Sequence, residues 1–290
     1  MREPHPIPAE AAELVNPDIL SGLGEIAGDY DALLCDVWGV IHNGVHAFPP
    51  AVDALRRFRA ERGKVLLLTN APRPPHCIEP QLRAYGVPAD CYDVVVTSGG
   101  AARADLARHG HVAIYHLGPE RDLTLFEGLD VALTGPEEAE LVLCTGLYDD
   151  DNETPENYRE VLSKALAHNL PMICANPDVM VPRGDKLVHC AGGVALFYEQ
   201  LGGKVSYYGK PHPPIYAAAV EAAGHPVRPL VIGDGMATDI KGANVMGYDA
   251  LFVAAGLHAE DLDGLTPQSV AALFAPKGVH ARAAIAALKW

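Results

Sequence analysis

Six polar residues stand at or just beyond the ends of apolar, strand-like runs. They are Asp36, Thr69, Asn70, Lys210, Asp234 and Asp239. Ligands of parallel α/β sheets bind where the strands end, so we expect these side chains to meet at one sheet edge. Each residue alone is typical of a turn or a helix cap, and only the combination indicates a site.

The three acids and the lysine predict a site for phosphoryl transfer. Clustered carboxylates repel one another unless a cation lies among them, and hard oxygen ligands favour Mg²⁺. Lys210 would add a second positive charge, while the Thr69 hydroxyl and the Asn70 amide could hydrogen-bond an oxyanion. One of the carboxylates could then attack phosphorus directly.

Nine short runs rich in Val, Ile and Leu predict the strands that position these residues. They begin near residues 32, 64, 93, 111, 140, 171, 204, 229 and 249. Ala-rich segments with helical spacing lie between them, such as AVDALRRFRAER, NYREVLSKALAHN and PPIYAAAVEAAG. This alternation predicts an α/β fold with a doubly wound, Rossmann-like parallel sheet.

The middle of the chain is expected to form a second lobe. Residues from about 100 to 190 contain strands and helices but contribute no comparable polar strand endings. We therefore predict a core of residues 1–100 and 190–290 and an inserted α/β domain of residues 101–189.

Four segments resemble, in order, the motifs of haloacid dehalogenase (HAD) superfamily hydrolases. They are LLCDVWGVIHNG, LLLTNAPRP, YYGKPHPPIY and VIGDGMATDIKGANVMGYDALFVAAG. The first and last resemble class IIA, the branch of NagD-like sugar and nucleotide phosphatases. The resemblance spans about residues 30 to 258 and implies a Mg²⁺-dependent phosphatase with a large, C2-type cap inserted between the second and third motifs.

The resemblance also implies which residues hold the metal. Asp36 matches an acid that binds Mg²⁺, and the backbone carbonyl of Trp38 would be a further ligand. Asp234 matches the direct acidic ligand of the last motif. Asp239 matches a second acid, which usually acts through a metal-bound water.

The catalytic roles follow in the same way. Asp36 matches the nucleophile that becomes an aspartyl phosphate, and Lys210 matches the lysine that neutralises nucleophile and phosphate. Thr69 matches the hydroxyl of the second motif, with Asn70 beside it. The segment CANPD resembles the return from cap to core, where Asn176 and Asp178 are expected to line the pocket.

Trp38 departs from the family pattern. Its position normally holds a second Asp, which protonates the leaving group and later activates water, and an indole does neither at neutral pH. Trp38 either plugs the space beneath the cap or shapes a dry pocket and stacks on a ring-bearing substrate. We place Trp38, Gly39 and His42 in the substrate-binding region. His42 is either a surface or capping residue or a substitute acid or base.

Charge and composition limit the partners. The net charge is −15 and no Lys/Arg-rich run occurs, which argues against nucleic acid and against an anionic membrane surface. No apolar stretch reaches the roughly 18 to 20 residues needed to cross a bilayer. The six cysteines form no C-x-x-C pair, so we expect a cytoplasmic protein.

The expected partner is a small phosphorylated metabolite of the sugar phosphate or nucleotide class, and a homodimer through the cap is compatible with its apolar strands.

Three functions stay open on these observations. The retained motif residues favour a Mg²⁺-dependent phosphohydrolase, slowed by the missing acid. Trp38 favours a catalytically degenerate member that binds a phosphorylated ligand or a protein partner. The third function is phosphoryl transfer to an acceptor other than water, because an aspartyl phosphate without its general base would live longer.

Overall fold

Parallel strands form most of the framework. The structure is a computed structural model that describes residues 16–183 and 186–290. Within these residues the strands are, in chain order, β1 (Asp18–Leu20), β2 (Ala32–Asp36), β3 (Lys64–Thr69), β4 (Val94–Thr97), β5 (Val112–Leu117), β6 (Val131–Leu133), β7 (Leu141–Cys144), β8 (Met172–Cys174), β9 (Met180–Arg183), β10 (Lys186–His189), β11 (Val205–Tyr207), β12 (Pro229–Gly233), β13 (Asp249–Val253) and β14 (Ala283–Ile285).

Helices connect the strands. They are α1 (Pro49–Glu61), α2 (Pro75–Ala84), α3 (Ser98–His109), α4 (Arg159–Ala167), α5 (Ala191–Gln200), α6 (Pro213–Ala223), α7 (Lys241–Met246) and α8 (Pro267–Phe274). Pro at the first position of several of them suits a helix start, because proline lacks the N–H that would be unpaired there. None of the helices described is long and apolar enough to cross a bilayer.

The large sheet has seven parallel strands in the order β1-β14-β13-β12-β2-β3-β4. β2 lies inside this sheet, between β12 and β3, and is buried on both faces. Leu33 and Cys35 point into one apolar cluster, which includes Phe58 of α1. Leu34 points into the cluster on the other face, which includes Tyr216 of α6. Helices therefore cover both faces, as the doubly wound arrangement requires.

A second, five-stranded parallel sheet has the order β11-β8-β7-β5-β6. One face packs against α4 and α5 through residues such as Leu162 and Val194. The other face packs against α3 through Leu106. An antiparallel hairpin of β9 and β10 adjoins this sheet in the chain, with Met180 opposite His189 and Val181 opposite Val188.

The predicted α/β fold class is confirmed by these sheets and their helices. A strand is present in each of the nine predicted runs. The strands that the sequence did not predict, β1, β6, β9, β10 and β14, are three or four residues long. Runs this short carry little periodicity to recognise.

The predicted return to the core at residue 190 lies before two elements that pack with the small sheet. α5 packs in the same apolar cluster as β7 and β8, and β11 pairs with β8. The chain therefore completes the small sheet only at Tyr207. We call residues 112–207 the lobe, and the large sheet with its helices the core. The division into two domains stays a prediction, and its residues 1–15 and 184–185 lie outside the described part of the chain.

Candidate active site

Three carboxylates converge at the carboxyl edge of the large sheet. Asp36 ends β2, Asp234 directly follows β12, and Asp239 lies in the helical turn Met236–Ile240. One oxygen from each lies within 4.8 Å of the others, and all three residues are buried. Three like charges this close are unfavourable without a cation. Because the donors are all hard oxygen atoms, they fit a divalent ion such as Mg²⁺.

The Lys210 ammonium group places a positive charge among these carboxylates. Its Nζ donates to Asp36 Oδ1 at 2.5 Å and to Asp239 Oδ1 at 2.7 Å, and the side chain is buried. Burial opposes the ammonium charge, but the two carboxylates outweigh it and hold the pKa of Lys210 well above its ordinary value. Burial, followed by repulsion from Asp239, raises the pKa of Asp36. One ammonium cannot balance three carboxylates, which leaves room for a second positive charge.

The chain around Asp234 requires glycine. Gly39 has a φ of +82°, and a Cβ there would lie 2.3 Å from Asp234 Oδ2. A Cβ at Gly256 would lie 2.0 Å from the same oxygen. The N–H of Leu257 donates to Asp234 Oδ2 at 2.7 Å. Gly39, predicted for the substrate-binding region, thus allows the loop after β2 to pack directly against the Asp234 carboxylate.

Asn70 clamps the backbone of Lys210. The N–H of Lys210 donates to Asn70 Oδ1 at 2.7 Å, and Asn70 Nδ2 donates to the Lys210 carbonyl at 3.1 Å. The same Nδ2 also donates to Asp178 Oδ1 at 2.8 Å. An amide nitrogen has two hydrogens, and both are used. The Asn70 side-chain amide therefore has no hydrogen left for an oxyanion in this arrangement, and its catalytic role stays a prediction.

A cavity of about 290 Å³ opens onto these groups. Its polar lining includes Asp36, Thr69, Asn70, Asn176, Asp178, Lys210, Asp234 and Thr238. Its apolar lining includes Trp38, Met180, Val181 and Leu257. Thr69 is half-buried, and its Oγ1 accepts from the Ala71 N–H at 3.3 Å, so its hydroxyl hydrogen is free to point elsewhere. The predicted positions of Asn176 and Asp178 on the pocket wall agree with this lining.

Trp38 and His42 occupy different places. Trp38 is 45% exposed and lines the cavity, so it is not a buried plug. His42 is buried and lines a neighbouring cavity of about 150 Å³ with Trp38 and Thr69. Its Nδ1 accepts from the Gly44 N–H at 2.9 Å, and burial lowers the pKa of His42 to about 4. His42 is therefore a neutral structural residue beside the site, and not among those lining the main cavity.

The sequence did not indicate Met180, Val181 or Leu257. The first two lie on β9, a four-residue strand of the hairpin, and Leu257 lies in the loop after β13. An apolar residue in a short strand or loop gives no signal that it faces a pocket. Only the fold brings these three side chains in front of Asp36.

The chain matches known families and structures. Residues 33–132 match the haloacid dehalogenase-like hydrolase model, and residues 207–276 match a HAD-hydrolase-like model. A haloacid dehalogenase-like hydrolase from Brucella suis 1330 is 45% identical, with a TM-score of 0.80, over 94% of this chain and 99% of that one. This chain belongs to the haloacid dehalogenase-like hydrolase family. The resemblance drawn from the four motifs is thereby confirmed.

Two further relatives of this HAD-like hydrolase are named enzymes. The 5′-nucleotidase YutF of Bacillus subtilis is 26% identical over 79% of this chain and 88% of its own length. A glycerol phosphate phosphatase from Mycobacterium tuberculosis, solved in complex with magnesium, is 25% identical with a TM-score of 0.65. That likeness covers 80% of this chain and 70% of the other.

Proposed function

We propose that this chain is a Mg²⁺-dependent phosphatase of small phosphomonoesters, with Asp36 as the nucleophile. The observation that carries the proposal is the meeting of three buried carboxylates and one buried lysine at the mouth of a cavity. Burying this much charge costs stability, and such buried ionisable groups cluster at functional sites. Two named relatives are phosphatases or nucleotidases, which supports the same chemistry.

The acidic set would hold the metal. Asp36, Asp234 and Asp239 would provide carboxylate oxygens, and the Trp38 backbone carbonyl is the further ligand that the family resemblance implies. When bound, the ion supplies positive charge that draws the phosphoryl oxygens toward Asp36. The magnesium in the mycobacterial relative supports Mg²⁺ as the ion.

Asp36 would attack phosphorus with one carboxylate oxygen. A new P–O bond forms to Asp36, the bond to the ester oxygen breaks, and its electron pair leaves with that oxygen. Water then attacks the phosphorus of the aspartyl phosphate and the P–O bond to Asp36 breaks. The Asp36 carboxylate is regenerated, and inorganic phosphate and the proton of the water are released. Lys210, 2.5 Å from Asp36 Oδ1, would keep the carboxylate ionised and stabilise the phosphoryl charge. The Thr69 hydroxyl would donate to a phosphoryl oxygen.

Asn70 and Asp178 would act as positioning residues. Asn70 holds the Lys210 peptide on both sides, and Asp178 of the lobe fixes Asn70. Lys210 follows a strand of the lobe, so its place against Asp36 of the core depends on this clamp. A misplacement of about 1 Å can cost on the order of 10²-fold in rate.

Because Trp38 occupies the position of the usual proton donor, turnover is expected to be slow and substrates with acidic leaving groups are expected to react best. The indole offers no proton to the departing ester oxygen and no base for water. Acid or base assistance is typically worth about 10² to 10⁴-fold. Esters, acyl phosphates and anhydrides whose leaving groups depart without a proton are therefore the better substrates.

The test measures phosphate release from aryl phosphates, acyl phosphates and anhydrides with Mg²⁺. Asp36→Asn should abolish turnover while circular dichroism shows an intact fold. In the parent protein, quenching during turnover should reveal a mass gain of one phosphoryl group on the peptide containing Asp36. Parental activity in Asp36→Asn would contradict covalent catalysis there. Binding of inorganic phosphate without turnover of any compound would instead support the degenerate binding protein.

A further inference from the structure

One wall of the cavity is apolar and open to solvent. Trp38, Met180 and Leu257 are 45%, 42% and 58% exposed, and all three line the cavity that holds Asp36. They come from the loop after β2, from the hairpin and from the loop after β13. Large apolar side chains that remain exposed together in a cavity indicate a surface for a ligand.

The charged groups lie at the inner end of this cavity. Lys210 is the single cation among the described residues that line it, and it already contacts Asp36 and Asp239. A substrate with a second phosphate or a carboxylate would therefore find no partner of opposite charge on the chain. It would instead meet the carboxylates of Asp178 and Asp234.

Several polar atoms of the cavity lining are already hydrogen-bonded to the protein. Asn176 Oδ1 accepts from the Asp178 N–H at 3.1 Å, and Asp178 Oδ1 accepts from Asn70. The Thr238 hydroxyl lies 3.1 Å from Asp239 Oδ2 and donates to it. The apolar side chains Trp38, Met180 and Leu257 favour a leaving group that makes apolar contact.

We propose that the substrate is a monophosphate ester whose leaving group is a flat apolar ring without a second anionic group. The ring packs against Trp38, Met180 and Leu257 while the phosphoryl group lies at Asp36. This inference rests on the proposed phosphatase function of the same site. The cavity of about 290 Å³ is close to the lower limit of roughly 300 Å³ for ligand pockets, which suits a small ring.

Cleavage of such an ester is compatible with the Trp38 indole, which cannot donate a proton to the leaving group. When the ring carries the ester oxygen directly, the P–O bond breaks and the electron pair leaves as an aryloxide, whose charge the ring delocalises. A new P–O bond forms to Asp36 in the same step. Trp38, which stands where the family normally has a proton donor, would thus bind a leaving group that needs no proton.

The test separates binding of the ring from leaving-group acidity. Benzylphosphonate and ethylphosphonate have C–P bonds and cannot be hydrolysed, so calorimetry with Mg²⁺ on the parent protein measures binding alone. Benzylphosphonate should bind about tenfold more tightly, because stacking on an aromatic side chain is worth on the order of 1–3 kcal/mol. Trp38→Ala should weaken benzylphosphonate binding about tenfold more than ethylphosphonate binding and so remove the advantage, and Trp38→Phe should keep most of it.

Position is checked by fluorescence and by hairpin variants. The chain has two tryptophans, so Trp290→Phe leaves Trp38 as the single indole, and benzylphosphonate should change its emission. Met180→Ala should weaken benzylphosphonate binding severalfold. Leu187→Ala is the matched control, because Leu187 is 65% exposed on the same hairpin but is not among the cavity-lining residues. It should change nothing.

The outcomes separate the two proposals. Equal affinities for the two phosphonates, or an unchanged ratio in a folded Trp38→Ala protein, would overturn the ring-binding inference and leave the phosphatase proposal standing. If neither phosphonate nor inorganic phosphate binds in the presence of Mg²⁺, both proposals fail.

Discussion

Replacing Asn70 by Ala should cost both stability and turnover. The substitution removes three hydrogen bonds, two to the Lys210 peptide and one to Asp178. A net value of about 0.5–1.5 kcal/mol for each bond gives a loss near 3 kcal/mol in the free energy of unfolding. Because Lys210 and Asp178 are largely shielded from water, their unpaired groups push the cost toward the upper end of that range. The loosened lysine should lower kcat by about 10²-fold while KM changes less.

Asn244 provides a matched control. Its Nδ2 donates to the His280 carbonyl at 2.8 Å, and the His280 N–H donates to its Oδ1 at 2.9 Å. This is the same amide-to-peptide clamp, in a more exposed place away from the cavity. Urea unfolding should show a smaller loss for Asn244→Ala, with unchanged kcat on an aryl phosphate. If Asn70→Ala also keeps the parental kcat, the clamp holds the fold but does not position Lys210.

Three further predictions follow from the site. Asp234→Asn should weaken Mg²⁺ binding by at least tenfold in calorimetry and abolish the metal dependence of turnover; parental Mg²⁺ affinity would remove Asp234 from the metal site. Trp38→Asp should raise the rate on alkyl phosphates by about 10² to 10⁴-fold and on aryl phosphates much less; an unchanged ratio of the two rates would mean that another group already supplies the proton. Burial lowers the pKa of His42 from 6.5 to about 4, so only the unfolded chain takes up this proton as the pH falls between those values. The parent should lose about 3 kcal/mol of unfolding free energy on that account, and urea unfolding at pH 7 and pH 4 should show a smaller loss in His42→Asn; equal losses would contradict a neutral buried His42.

Asp36 and Asp234 were predictable because each lies at the end of a strand. In parallel sheets the side chain after a strand lies at the carboxyl edge, so Asp36 and Asp234 had to be neighbours once their strands paired. Lys210 lies beside Asp36, as predicted, but its strand does not belong to the large sheet. It follows β11, which pairs with β8 in the small sheet and not with a core strand.

The role of Asn70 could not be read from the sequence. Its partners Lys210 and Asp178 are 140 and 108 residues away, and nothing in a local pattern reports such distant hydrogen bonds. His42 shows the opposite problem. Its position in a polar loop suggests an accessible imidazole, but its bond from Gly44 and its tilted contact with Tyr85, with ring centroids 4.8 Å apart, bury it.

The sequence also gives no local signal for the point at which the small sheet is complete. The helix α5 contains AGGVALFYEQ, whose apolar residues are equally suited to either hydrophobic core. Its packing partner is decided by the pairing of β11 with β8, and that pairing has no local signature. Tertiary contacts therefore decided the point at which the chain returns to the core.

The path of the chain through β11 limits how this enzyme can be re-engineered. Lys210 comes three residues after a strand of the lobe, and Asp178, just before the hairpin, braces the clamp that holds it. A chimera that exchanges the lobe for that of another family member would also exchange the strand that delivers the lysine. Cutting the graft at residues 101 and 189 would separate β11 from β8, so a viable splice has to carry the whole segment from α3 to beyond Tyr207. The lobe and Lys210 are thus inherited together, and recombination between family members should preserve that linkage.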